Sequence, residues 1–155
     1  MHGAPGRETC PPPYAPFKSC TMPRSIGWRS TVDCQGRANL APCSQWQNLT
    51  FDPPLVMLAA NPYADGRRNH TVLSAEATGW FVWTMATSEL REAVNISAVE
   101  SPDVVDEFAQ AGVTKARCID APGRRVADSP SQFECRYLAS HRLAGRSAHD
   151  PVEIS

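Results

Sequence analysis

Apolar residues fall along this chain in short blocks separated by turn residues, not in long helical stripes. Residues 25–32 (SIGWRSTV) combine β-branched and aromatic side chains and predict a strand. Asp33-Cys34-Gln35-Gly36 follows, with Asp first and Gly last as a type I turn prefers, and 37–42 return as a second strand. Pro53-Pro54 then force an extended entry into 55–60 (LVMLAA), a continuous apolar run that predicts a buried strand. The most aromatic run, 80–85 (WFVWTM), predicts another, and a last strand pair is expected at 114–119 and 132–139.

Helical signals lie between these strands. Residues 71–78 have Thr71 as a candidate N-cap and Gly79 as the C′ residue. A second helix is expected from Thr87-Ser88-Glu89 to about 97, and a third from Pro102-Asp103 to about 111, stopped by Gly112. Residues 61–70 (NPYADGRRNH) read as a loop. Residues 1–16, rich in Pro and Gly, predict a flexible arm, and 140–155 show no strand pattern and predict an irregular tail. Strands come first and helices fill later connections, which is an α+β or barrel-like pattern and not a doubly wound parallel sheet.

Composition narrows the function more than the fold. A chain of 155 residues is one domain by length, and its 42% hydrophobic and 20% charged residues are those of an ordinary globule. The net charge of −1 gives no basic field for nucleic acid. No apolar run is long enough for a bilayer, and the first residues lack the apolar core of a signal peptide, so a cytoplasmic location is expected. The six cysteines are then expected to stay reduced, and the three glycosylation-type sequons carry no meaning. With no C-x-x-C and no histidine in register, a metal site is not expected.

Two stretches carry candidate chemistry. Within 37–54 (RANLAPCSQWQNLTFDPP), Ser44, Gln45, Gln47, Asn48 and Thr50 gather uncharged hydrogen-bonding groups around Trp46. If buried, such groups need partners, supplied either by a flat polar-edged ligand or by neighbouring backbone. In Gly66-Arg67-Arg68-Asn69-His70-Thr71 a basic loop is delivered onto a predicted helix N-terminus, where either a phosphate or solvent would meet the charges. There is no Rossmann fingerprint, P-loop or nucleophile elbow. No general acid–base pair and no nucleophile with its base assembles, and Cys43 reads as a packing residue. Polar groups suited to a cofactor, without an acid–base set, point to chemistry borne by the cofactor.

The ordered series Pro23–Asp33, Gly36, Asn39-Leu40-Ala41-Pro42, Ser44–Asn48, Asp52-Pro53-Pro54, Gly66-Arg67-Arg68, Thr71 and Glu76-Ala77-Thr78-Gly79 resembles the flavin reductase-like, FMN-binding split-barrel family that includes flavoredoxin. The resemblance continues through 80–85, Leu90–Ala93, Asp106-Glu107-Phe108 and 129–138. It implies a Greek-key split β-barrel with peripheral helices over 17–139, usually a homodimer with FMN at or near the subunit interface. It further implies reduction of flavin by NAD(P)H, or electron transfer through it. Carried onto this chain, Ser44, Gln45, Trp46, Gln47, Asn48 and Thr50 would line the isoalloxazine and ribityl chain. Trp28 would lie close to the ring, and Arg67, Arg68 and Thr71 would take the phosphate. Two departures stand out. Asn69-His70 replace the Lys-Asp that commonly precedes this Thr, and strand signals cease after 138, so the barrel is expected to be incomplete at its C-terminus. A shortened, non-catalytic protein that binds flavin or only dimerises is the alternative.

Overall fold

The computed structural model describes residues 21–63, 65–102, 104–143 and 152–154. The expected flexible arm, 1–16, lies outside them. Strands β1 (Gly27–Val32) and β2 (Ala38–Cys43) form the expected hairpin, in register from Gly27↔Cys43 to Val32↔Ala38. Its turn is fastened by Asp33, whose Oδ1 accepts the N–H groups of Gln35 and Arg37, each at 2.9 Å. β1 is buried along its whole length because it is an inner strand of the sheet β2-β1-β5-β8 and is covered on both faces. One face packs Trp28 with Leu40, Phe108 and Val126. The helix α1 (His70–Thr78) covers the other, beside a cluster of Cys43, Leu58, Ala75 and Phe81.

β3 (Trp46–Phe51) and β4 (Pro54–Ala60) begin the second sheet. β4 is the run read as a buried strand. β3 is a strand that no apolar alternation announces: it lies at the sheet edge, where water meets its polar side chains. β5 (Trp80–Met85) pairs with β1 and with β8 (Gln132–Arg136). The two segments expected as a last strand pair, 114–119 and 132–139, do not pair with each other. β6 (Lys115–Arg117) pairs with its near neighbour β7 (Arg124–Val126), while β8 returns to β5.

The tail also differs from the irregular segment read from its sequence. β9 (His141–Leu143) pairs with β10 (Val152–Ile154), and β10 pairs with β4 through Glu153↔Ala60 and Ile154↔Ala59. Backbone groups along β4 that would otherwise form an open edge are met in this way. Among the described residues the two four-stranded sheets share no strand, so the barrel is split and not closed.

The helices keep their places but change their ends. α1 is capped by Asn69 and not by Thr71, because the Asn69 side chain reaches the Thr71 N–H. It stops at Gly79 in the left-handed region (φ 77°), where an L side chain would be strained and where the Gly79 N–H reaches Ala75 O at 2.8 Å. α2 (Arg91–Ile96) starts only after a turn at Thr87–Leu90. α3 (Glu107–Gln110) is a single turn opened by Asp106, whose carboxylate accepts from Phe108 N and Ala109 N.

Candidate functional site

A groove of about 620 Å³ opens where β1 and β2 meet the N-terminal end of α1, the loop before it and the residues after α2. β2 contributes Asn39 and Pro42, the loop Tyr63 and Asn69, the helix His70, Thr71 and Ser74, and the α2 exit Ser97. Thr71 is buried, and its hydroxyl donates to Asn39 Oδ1 at 3.1 Å, which locks α1 onto β2. Tyr63 meets the His70 ring edge-on at 5.1 Å between centroids, and its hydroxyl lies 3.5 Å from the His70 N–H. The first-turn N–H groups of α1 thus have company: Asn69 Oδ1 holds that of Thr71 at 3.0 Å.

The two arginines expected at the phosphate are each engaged by a carboxylate. Arg67 Nε lies 2.6 Å from Asp65 Oδ2, and its guanidinium sits 5.3 Å above the Tyr63 ring. Arg68 Nη2 lies 2.7 Å from Glu76 Oε1, and that bond, more than any other contact, holds the Glu76 carboxyl below its usual range.

The expected site residues do not gather in one place. Thr71 lines the groove, with Arg67 and Arg68 in the loop leading to it. Trp28 is fully buried in the core and reaches the groove wall at Ser97, donating its indole N–H to Ser97 Oγ at 2.8 Å. Ser44, Gln45, Gln47, Asn48 and Thr50 are exposed, and Trp46 is half-buried. Their groups would need a ligand or neighbouring backbone as partner only if buried. Their exposure removes that need: the Thr50 hydroxyl donates to the Pro53 carbonyl, and the others face solvent. Asn48 and Thr50 line a different groove, of about 490 Å³, beside Phe81, Phe133 and Tyr137.

One residue of the first groove carries no sequence signal beyond its charge. Arg29, in the middle of β1, is 3% exposed, and its Nε and Nη1 have no hydrogen-bond partner among the described residues. Burial pulls its pKa below the usual arginine value, against opposing pulls from Cys43 and Tyr63. Tyr63 likewise carries no such signal, since a loop gives no sign of which side chains fold inward. Among the described residues no group of three His, Cys, Asp or Glu is placed to hold a metal, and no helix is long and apolar enough to cross a membrane.

Comparison with known proteins agrees with this architecture. The bacterial component B of nitrilotriacetate monooxygenase from Bacillus cereus superimposes with a TM-score of 0.80 at 21% identity, over 95% of this chain and 76% of that one. Flavoredoxin of Desulfovibrio vulgaris (Miyazaki F) superimposes at 0.69 with 17% identity, over 99% and 73%. In sequence, an uncharacterized protein of Aquifex aeolicus (strain VF5) is 33% identical over 117 residues, which is 74% of this chain and 59% of that protein. An uncharacterized protein of Deinococcus radiodurans is 32% identical over 81% of this chain and 57% of its own length. The chain therefore spans somewhat over half the length of these relatives. The family profile described as Flavin reductase like domain matches residues 19–152, and the chain belongs to that family.

Proposed function

We propose that this protein is an FMN-binding flavin reductase-like oxidoreductase that passes a hydride or electrons from NAD(P)H through FMN to an acceptor. The observation that carries the reading is the 620 Å³ groove, of cofactor size, walled by Asn39, Tyr63 and Thr71 and holding a buried guanidinium with unpartnered nitrogens. An anionic group on a ring system fits such a lining. FMN would supply the hydride-accepting chemistry that side chains lack.

The chain's own residues bind and orient. Thr71, fixed by Asn39, with Arg67 and Arg68 from the adjoining loop, would hold the phosphate. Ser44, Gln45 and Trp46 continue from the groove-lining Pro42 and would flank the ring, with Trp28 steadying the groove wall through Ser97. Gln47, Asn48 and Thr50 stand on the exposed edge strand. Beside them Leu49 and Phe133 are exposed and Phe51 is 90% exposed, an apolar face suited to a second copy in a homodimer.

The test is a titration of the full chain with FMN, followed by NADH or NADPH with an added acceptor, and a mass measurement of the oligomer. A flavin spectral shift with fluorescence quenching, and FMN-dependent loss of NAD(P)H absorbance, are expected. Absence of any shift or quenching sinks the reading. Binding without NAD(P)H oxidation would instead favour a non-catalytic flavin-binding protein.

A further inference from the structure

Arg29 lies in register with Ala41 of β2 and Trp83 of β5, so its side chain leaves the sheet on the face opposite Trp28. That face is covered by α1, and the arginine lines the groove there with Tyr63, Asn69 and Thr71. A guanidinium does not shed its proton to escape burial, and it offers only donors. Burying such an ion without a counter-charge is strongly unfavourable, and removing it in favour of an apolar side chain commonly stabilises a fold. Yet no ion pair to Arg29 forms among the described residues, and two of its nitrogens stay unpartnered.

The neighbouring cations and the Thr71 donors are already engaged. Arg67 holds Asp65, Arg68 holds Glu76, and the Thr71 N–H and hydroxyl are held by Asn69 and Asn39. Arg29 is thus the buried cation at the groove whose hydrogen-bonding capacity is plainly unspent. Its complement is an acceptor-only anion small enough to enter beside Tyr63 and Thr71, which describes an oxyanion.

We infer that Arg29 is the specificity-determining cation of the groove: it receives the oxyanion end of the ligand and makes the site select a phosphorylated flavin over an unphosphorylated one. The ligand's identity as FMN rests on the function proposed above; the oxyanion site itself does not.

Riboflavin and FMN differ only in the phosphate, so their ratio of affinities isolates the effect. In quenching titrations of the full chain, FMN is expected to bind about tenfold or more tightly than riboflavin. Arg29→Met is expected to lose most of this preference, the remainder resting on Arg67, Arg68 and Thr71, and Arg29→Lys to keep more of it. Because Met fills the space without charge, the variant should fold and melt no lower than wild type in the absence of ligand. Equal affinities of the wild type for the two flavins, or an undiminished FMN preference in Arg29→Met, overturn the inference. Should the wild type bind neither flavin, the FMN reading fails and inorganic phosphate decides about Arg29. Compared with chloride at equal ionic strength, phosphate is expected to raise the Tm of the wild type more than that of Arg29→Met. Equal shifts in the two proteins overturn it.

Discussion

The indole of Trp46 lies against that of Trp83, with ring centroids 5.2 Å apart and planes 18° from parallel. Trp83 stacks in turn on Phe133 at 4.6 Å, so rings from β3, β5 and β8 tie the edge of the second sheet to the first. Gly27 leaves the room for this: a Cβ there would lie 3.0 Å from Trp83 Cδ1 and 3.2 Å from Trp46 Cγ. Gly27→Ala is expected to lower stability by about 1–3 kcal/mol through overpacking. Urea denaturation measures the loss, and near-ultraviolet circular dichroism should report the displaced rings. An unchanged midpoint would mean that the stack yields freely.

Trp28 acts in the core and meets the groove wall through its hydrogen bond to Ser97. Trp28→Phe removes the donor to Ser97 Oγ and leaves a gap in a fully buried position. A loss of about 1–3 kcal/mol is expected in chemical denaturation. FMN affinity of the folded variant should change far less than it does in Arg29→Met. A selective collapse of flavin binding with unchanged stability would place Trp28 against the ligand instead.

Asn69 holds the start of α1, where the groove ends. Its Oδ1 caps the Thr71 N–H at 3.0 Å, so Asn69→Ala is expected to cost about 1 kcal/mol, whereas Asn69→Asp should keep the cap. Thermal melts of the two variants compare these directly. Equal melting of Asn69→Ala and wild type would show the cap to be idle.

Glu76 gives the protein an acid-sensitive contact. Its pKa is depressed, chiefly by the hydrogen bond from Arg68, so the folded state favours the ionised form. The resulting stability is present above the ordinary glutamate pKa of about 4.3 and is lost as pH falls through the lower folded value. Glu76→Gln is therefore expected to be less stable than wild type near neutrality and to show a flatter acid limb. Parallel curves of unfolding free energy against pH would contradict this.

Burial pushes the Cys135 thiol up to about 11, and it stays protonated at mildly alkaline pH. Iodoacetamide at about pH 8 should modify exposed Cys34 well before Cys135 in the native protein, as read by peptide mass spectrometry. Comparable rates at the two positions would mean that β8 opens readily.

Much of this protein was legible in its residues alone where the cause is local. The Asp33–Gly36 turn, the β4 and β5 runs and the Gly79 stop follow from neighbouring side chains and backbone preferences. The ordered motifs likewise pointed to the family that the profile matches. Pairing between distant strands is different, because hydrogen bonds between β5 and β8, or β10 and β4, leave no periodicity in either segment. The 37–54 stretch invited a single buried polar site, yet only the sheet order reveals that β3 is an edge strand facing water. Arg67 and Arg68 looked like free cations until the fold set Asp65 and Glu76 against them. Arg29 looked like one charge in a strand. Tertiary structure alone covers that strand on both faces, and burial is what turns an ordinary surface charge into a cation in need of a partner.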